Sequence, residues 1–404
     1  MDRPYPKFTV TEKAERALRA GHPWVYSDEI ISSGSCPDGE IADVYSRKGR
    51  WLGAGFFNAA SKIRVRIVSR NSNDRFDEAF WDRKLRWAVD YRRTVMGEDF
   101  SACRLIFGDA DGFPGLTADL FGDVLVTEVL SLGTDRLRPL LYGHLRSILA
   151  GHGISLRAIC ERCDSPLREK EGLERYCRLW DGPGLLTGDR CEAVIRENGL
   201  EILVDCLGGQ KTGYFLDQKY NRQAAARIAR NRRVLDCFTH TGAFALNCAA
   251  AGAASVTAVD ISEDALDFAR KNAARNGLTV DFVQADVFEF LTEALKGERR
   301  NWDFIILDPP AFTKSASTVP DAYRGYKDIN YRAMRLLPRG GYLATCTCSH
   351  FMTESYFRQM LSEASFDAGV SLRQIEARQQ GPDHPILWGV PETSYLKFYL
   401  FQVV

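Results

Sequence analysis

The sequence predicts an α/β protein whose C-terminal half is a doubly wound, mostly parallel sheet that ends in an antiparallel hairpin. Three observations predict it. From about Arg190 onward, short apolar runs alternate with helical segments. Several of those runs end on an aspartate. The last two runs have only a Gly- and Pro-containing loop between them, with no helix. Apolar strands separated by helices of about 10–15 residues require crossover connections and a sheet covered on both faces.

The first 75 residues are of another kind. Short β-rich pieces at 39–45, 51–58 and 63–69, broken by Gly, Pro and Ser, predict a small barrel. This segment holds thirteen Lys and Arg against nine Asp and Glu, within a chain whose 53 basic and 53 acidic residues cancel. A globally basic, histone-like binder is therefore excluded, whereas a local basic face is not. Residues 76–190 predict a mixed α+β piece, entered by a basic-aromatic helix from Trp81 to Trp87. Trp51, Trp81 and Trp87 could be stacking aromatics, with a core position the plainer expectation for each.

The third part, 191–404, carries the regular pattern. Arg233–Cys237 is a strand, 242–251 an Ala-rich helix and Ser255–Asp260 a second strand. Ser262 stands where a helix N-cap belongs, Ala265, Phe268, Ala269 and Ala273 form a helical stripe, and Gly277 closes it. Further strands are expected at 279–283, 303–308 and 341–345, and the terminal hairpin at 371–379 and 395–404.

Composition bounds the class. With 45% hydrophobic and 11% aromatic residues the chain can close real cores, so it is neither disordered nor fibrous. The first ten residues hold no apolar leader, and no stretch approaches the roughly 18 apolar residues of a membrane span. Eleven cysteines are too dilute for a disulfide scaffold and read as reduced thiols, which gives a cytoplasmic expectation. Cys160-x-x-Cys163, with Cys177 and Cys191 further on, invites a zinc reading. The second pair is not a CxxC and no histidine completes the set, so no metal is expected.

In open α/β sheets a ligand sits beyond the carboxyl ends of the strands, where their order reverses. Asp236, Asp260 and Asp308 fall at such ends, and Asp286 follows a fourth strand by three residues. The loop from Asp236 to Phe244 leaves the first strand, with Gly242 and Ala243 small enough for a ligand to approach the backbone. A dinucleotide pyrophosphate needs bare N–H groups in a G-x-G-x-x-G turn. That motif is absent, and Phe238, Thr239 and His240 crowd the loop. A cofactor without phosphates fits better. S-adenosylmethionine offers a ribose diol, an adenine and a cationic sulfonium that acids suit. Asp236 is then expected to face the methionine end, Asp260 the ribose and Asp286 the adenine amino group, with Ile261 and Val287 beside them.

Asp308-Pro-Pro-Ala-Phe312 predicts a rigid shelf beside the methyl group, because consecutive prolines remove donors and stiffen the chain. One strand later comes Thr345-Cys-Thr-Cys-Ser-His350, where Cys348 is expected to project into the same crevice. Methylation of an exocyclic atom needs no thiol. Carbon 5 of a pyrimidine does, because a thiolate adding to carbon 6 makes carbon 5 nucleophilic. Cys346, two residues earlier, is expected on the opposite strand face as a core thiol.

These motifs resemble the S-adenosylmethionine-dependent RNA methyltransferases of the RlmI type, which make 5-methylcytosine in large ribosomal RNA. The resemblance spans nearly the whole chain. Gln210-Lys-Thr-Gly-Tyr-Phe-Leu-Asp-Gln218 is similar to the family's signature ahead of the first cofactor strand. Asp308-Pro-Pro-Ala-Phe312, Thr347-Cys-Ser349 and Asp383-His-Pro385 look like its shelf, nucleophile and late-loop motifs. The resemblance implies a class I methyltransferase, Rossmann-like domain at 191–404, behind a PUA-like RNA-binding barrel at 1–75 and a central α+β domain at 76–190. It also implies Cys348 as nucleophile and Asp308 near the cytosine N3 edge. By the same resemblance Lys211, Tyr214 and Asp217 lie along the cofactor cleft, and RNA is the partner, with a second copy of the chain as a further candidate. Many RNA cytosine methyltransferases carry a second cysteine in the shelf, where this chain has Pro310-Ala311; the RlmI type also lacks it. Two other functions stay open on the residues alone. One is methylation of a guanine ring nitrogen without covalent catalysis, and the other is a non-catalytic RNA-binding assembly factor.

Overall fold

A computed structural model describes residues 3–297, 301–313 and 315–404. They pack as two compact units: the chain up to Ile195 with 204–216 and 382–393, and 196–203 with 217–381 and 394–404.

The first unit opens with β1 Lys7–Val10, α1 Glu12–Arg19, β2 Trp24–Tyr26, β3 Ile30–Ser33, β4 Ile41–Ser46, β5 Trp51–Phe57 and β6 Ile63–Ser69. These strands form one mixed sheet in the order β2-β6-β5-β4-β1-β3 around Phe8, Val10, Leu18, Val25, Val44 and Val65. The β5–β6 pairing slips at Ala54/Gly55, and a Cβ on Gly55 would lie 1.9 Å from the Arg66 carbonyl oxygen, so only glycine fits there. Part of the basic excess is spent internally. Arg3 pairs with Asp43 at 2.9 Å, Arg66 with Glu171 at 2.8 Å, and Arg70 donates to the Gly21 carbonyl at 2.7 Å.

Next come α2 Glu78–Met96, β7 Ala102–Phe107, β8 Leu116–Phe121, β9 Val124–Val129, α3 Leu132–Gly151, β10 Ala158–Cys163 and β11 Tyr176–Leu179. The strands make a five-stranded sheet ordered β11-β10-β9-β8-β7. Trp81 is buried in this region and Trp51 donates to Asp43 at 3.0 Å, whereas Trp87 is 63% exposed beneath the Arg83 guanidinium. Cys160 and Cys163, three apart on β10, point to opposite faces and do not form a pair of ligands. All eleven cysteines are free.

A two-stranded sheet follows, β12 Glu192–Glu197 with β13 Leu200–Asp205. The second unit then runs α4 Lys219–Ala229, β14 Arg233–Cys237, α5 Ala243–Ala250, β15 Ser255–Asp260, α6 Glu263–Arg275, β16 Asp281–Gln284 and α7 Val287–Lys296. It continues with β17 Phe304–Leu307, α8 Val319–Leu336, β18 Tyr342–Thr347, α9 Glu354–Ala368, β19 Leu372–Arg378 and β20 Lys397–Val403. The sheet order is β16-β15-β14-β17-β18-β20-β19, parallel through β18, with β20 antiparallel to both neighbours.

Alternation along β14 sends Val234 into an apolar layer with α4 and α5, and Leu235 into one with α7, α8 and α9. The sheet is thus covered on both faces, as its continuous apolar strands require. Ser262 Oγ accepts from Ala265 N at 3.2 Å, a cap that stabilises α6 by about 1 kcal/mol. Among the described residues no helix is long and apolar enough to cross a membrane.

Candidate active site

Strand order reverses between β14 and β17, so their carboxyl ends open the crevice expected of this topology. Asp236, in β14, is wholly buried. Its Oδ2 accepts from Thr239 Oγ1 at 2.5 Å and from Ala245 N at 3.0 Å, while no partner among the described residues meets Oδ1. Burial pushes this carboxyl up to about 7, against the Thr239 bond and with help from the nearby Asp308 charge.

The loop after β14 is held in unusual backbone geometry. Phe238 and His240 both have left-handed φ, at 62° and 52°. Such conformations cost of order 1–3 kcal/mol each and persist where the surroundings enforce them. Here Asp260, at the end of β15, does so: its Oδ2 accepts from His240 N at 2.8 Å and its Oδ1 from Ser262 N at 2.9 Å. The two main-chain donors fix the carboxylate and leave each oxygen a lone pair for a diol. Burial lowers the His240 pKa, opposed by Asp260. Ile261, the next residue, is 66% exposed. Asp286 caps α7 by accepting from Glu289 N at 3.1 Å.

Gly242 has a left-handed φ of 83°, and a Cβ there would come within 3.1 Å of the Ala269 Cβ, so glycine also serves the packing of α5 on α6. The Phe244 side chain is buried and stacks parallel to Phe398, and Val287 is buried in the layer under α7 and α8. Those two side chains belong to the core, which leaves only their main-chain groups to line a cleft. One expectation needs correcting: Cys346 does not lie on the face opposite Cys348. Residues two apart on a strand share a face, and both cysteines pack on the same apolar layer.

That correction changes the site. The Cys346 thiol donates to Asp308 Oδ1 at 3.0 Å, and Gln218 Nε2 donates to the same oxygen at 3.0 Å. Gln218 is itself fixed by Asn221, whose Nδ2 donates to Gln218 Oε1 at 2.7 Å, and Arg378 donates to Asn221 Oδ1 at 3.1 Å. Burial raises the Asp308 carboxyl to about 6, the Cys346 bond opposing it, Asp217 adding to it, and Arg222 and Gln218 opposing it. Arg222 is buried against Glu197, with contacts of 2.6 and 2.7 Å. Asp217 is buried, with Oδ2 accepting from Tyr395 at 2.6 Å and Oδ1 without a partner among the described residues.

Cys348 is partly exposed just past the end of β18. Its neighbours tie this turn to the shelf: Ser349 Oγ donates to the Thr313 carbonyl at 3.0 Å, and Thr347 Oγ1 donates to Tyr326 Oη at 2.8 Å. Tyr326 also packs on Phe312 with ring centroids 4.6 Å apart. Phe238, Phe288 and Phe312 form an aromatic group with centroids 5.8–6.5 Å apart. Lys211 and Tyr214 belong to the other unit, Lys211 exposed with its ammonium 5.0 Å from the Phe215 ring and Tyr214 buried. So does Asp383, whose Oδ1 pairs with His384 at 2.9 Å and whose Oδ2 accepts from Arg104 N at 2.9 Å.

The sequence reasoning missed Gln218, Cys346, Phe288 and Phe312. Strand periodicity could have recovered Cys346, and Gln218 closes the motif from Gln210, but the two phenylalanines meet only through tertiary packing.

These residues suit S-adenosylmethionine. A buried acid with an orphaned oxygen, Asp236, matches a cation, and a carboxylate fixed by two main-chain donors, Asp260, matches a ribose diol. The matches to known proteins agree. A model of S-adenosylmethionine-dependent methyltransferases matches residues 173–402, and a PUA-like domain model matches residues 8–70. Ribosomal RNA large subunit methyltransferase I of Klebsiella pneumoniae is 37% identical over 407 residues, covering 99% of each chain. The protein of that name from Salmonella arizonae is 39% identical over 407 residues, covering 99% of this chain and 98% of its own.

Among solved structures, a putative methyltransferase from Streptococcus mutans superposes with a TM-score of 0.82 at 22% identity, covering 98% of this chain and 99% of its own. A putative methyltransferase complexed with SAH gives 0.82 at 21%, with the same coverage. At those identities the likeness shows the fold. Fold and site thus define an S-adenosylmethionine-dependent methyltransferase with a PUA-like N-terminal domain. Within that class, the chain belongs to the ribosomal RNA large subunit methyltransferase I family.

Proposed function

We propose that this chain methylates carbon 5 of a cytosine in large-subunit ribosomal RNA through a covalent adduct on Cys348. The supporting observation is the joining of two strand ends. A partly exposed thiol stands after β18, in a turn bonded through Ser349 to the shelf that begins at Asp308. Asp236, Phe238, Asp260, Ile261, Asp286 and Asp308 are the residues that would hold S-adenosylmethionine, with the main chain at Gly242, Ala243, Phe244 and Val287. When bound, S-adenosylmethionine supplies an electrophilic methyl group on a cationic sulfur. Lys211, Tyr214 and Asp217 are carried as cleft residues on the family resemblance.

The residues divide the work as follows. The Cys348 thiolate adds to carbon 6, forming the S–C6 bond, while Asp308 gives its proton to N3, so that the ring becomes an enamine with a nucleophilic carbon 5. A carboxyl held near 6 is partly protonated at neutral pH and can serve as that acid. After carbon 5 is methylated, its proton passes to solvent water, the electron pair left behind expels the Cys348 thiolate, and the N3 proton returns to Asp308. The division of the chain at residues 75 and 190 is kept as our reading of how RNA grip and chemistry are shared. No observation favours a homodimer, and that expectation is dropped.

The test is methylation of large-subunit ribosomal RNA by the purified protein, followed by nucleoside mass spectrometry. The reading predicts 5-methylcytidine. A methylated guanosine would overturn it and favour direct attack without Cys348.

A further inference from the structure

β18 and β20 pair antiparallel, with Thr347 opposite Lys397, so the first residue of β20 lies beside the end of the strand that delivers Cys348. Lys397 Nζ donates to the Ser349 carbonyl at 3.1 Å and to the Tyr395 carbonyl at 3.2 Å. The first of these carbonyls is one residue past the thiol. An ammonium has three donors and no acceptor, so these two bonds leave one N–H uncommitted to a carbonyl. An adjacent cation is one of the ordinary ways of favouring a thiolate.

We propose that Lys397 is the positioning residue of the nucleophile, bracing the main chain next to Cys348 and setting a positive charge beside its sulfur so that the thiolate is favoured. The proposal rests on the reading of Cys348 as the attacking group. Burial works against the ammonium and lowers the Lys397 pKa to about 8, whereas the charges of Glu354 and Cys348 hold it protonated. The interaction with Cys348 is mutual, because whatever holds the ammonium charged beside a thiolate also holds the thiolate charged beside the ammonium. The other titratable groups around the pair are Glu354 at the start of α9, bonded to Tyr399 at 2.8 Å, Tyr326 on α8, Cys346 on β18 and His350 in the same turn. Glu354 repels a thiolate and the Cys346 thiol is committed to Asp308, so the hairpin register sets Lys397 as the lysine cation at this turn. No signal in the sequence links residues 348 and 397, which only the hairpin register brings together.

The test reads the thiol without the reaction. Alkylation of Cys348 by iodoacetamide is followed against pH by peptide mass spectrometry in the full-length protein without RNA, in wild type, Lys397→Gln and Lys397→Arg. The wild-type midpoint is expected below the ordinary thiol value of about 8.5. Lys397→Gln is expected to raise it by about one unit, slowing alkylation near pH 7.5 about tenfold, and Lys397→Arg to restore it. Identical midpoints in all three proteins would overturn the proposal. So would a wild-type midpoint at or above 8.5, a result that stands even where Lys397→Gln fails to fold. Turnover of Cys348→Ser is measured alongside. Its survival would overturn the nucleophile reading itself, whereas its loss with unmoved alkylation midpoints would overturn only the role of Lys397.

Discussion

The Cys346 thiol donates to Asp308 Oδ1 at 3.0 Å, so the cysteine that does not stand at the crevice offsets part of the burial that raises the pKa of the shelf carboxylate. Gln218 completes the pair of donors on that oxygen. Each donor favours the ionised carboxylate, and each therefore holds the Asp308 pKa below where burial alone would put it.

Gln218→Met should consequently raise the Asp308 pKa above its value of about 6, by roughly one unit for a lost donor. It also removes the nearer acceptor of Asn221 Nδ2 and leaves only the Gln379 carbonyl at 3.4 Å, at a cost of about 1 kcal/mol in stability. Infrared difference spectra of the carboxyl band across pH, with Asp308→Asn as the blank, give the first quantity, and thermal denaturation gives the second. An unmoved carboxyl titration would show that Gln218 only fills space.

Asp236→Asn tests the same physics through stability. The folded pKa of about 7 lies above the ordinary 3.8, so the native state holds this proton more tightly than the unfolded chain. The stability this contributes is complete below about pH 4 and is lost as pH rises through 7. Asparagine keeps an acceptor for Thr239 and Ala245 but does not titrate. Relative to wild type, the variant should gain stability between pH 4 and pH 8, by at most about 4 kcal/mol, while its affinity for S-adenosylmethionine falls. Melting temperatures at both pH values and calorimetry with the cofactor check the two halves. A variant-minus-wild-type difference that does not change with pH would contradict the assignment.

Asp260→Ala should weaken S-adenosylmethionine binding by about tenfold or more, the scale of one or two charge-assisted hydrogen bonds to a diol. It also releases His240 N and Ser262 N, so the left-handed turn at His240 loses an anchor. Calorimetric titration reads the affinity directly. An unchanged Kd would place the ribose elsewhere.

Gly242→Val should destabilise the fold by about 2 kcal/mol or more, because it adds a β-branched side chain at a φ of 83° and crowds Ala269. Chemical denaturation of the cofactor-free protein measures it. A neutral result would mean that α5 and α6 can move apart.

β14 and β15 were legible because each is an apolar run followed by a helix signal, and both have the expected limits. Ser262 was legible as a cap because capping is a local contact. For Phe244 and Val287 sequence position does not say whether the side chain turns to the crevice or to the core, and both turn to the core. Cys346 was misplaced by an error of period, since a spacing of two keeps a side chain on its own face. Gln218 and Phe312 close motifs that the sequence shows, but their contacts with Asp308 and Tyr326 come only from the fold, and nothing in its own neighbourhood marks Lys397.

The central claim is a bond between Cys348 and carbon 6 of a cytosine, and the most direct measurement traps it. In RNA carrying 5-fluorocytosine, carbon 5 holds a fluorine that cannot leave as a proton does, so an adduct formed with S-adenosylmethionine cannot resolve. Wild-type protein should run with the RNA as one species on a denaturing gel, with the modified peptide containing Cys348, and Cys348→Ser should give no such species. A Cys348→Ser protein that still methylates normal RNA, or wild-type protein that turns over yet never traps the fluorinated strand, would contradict the account.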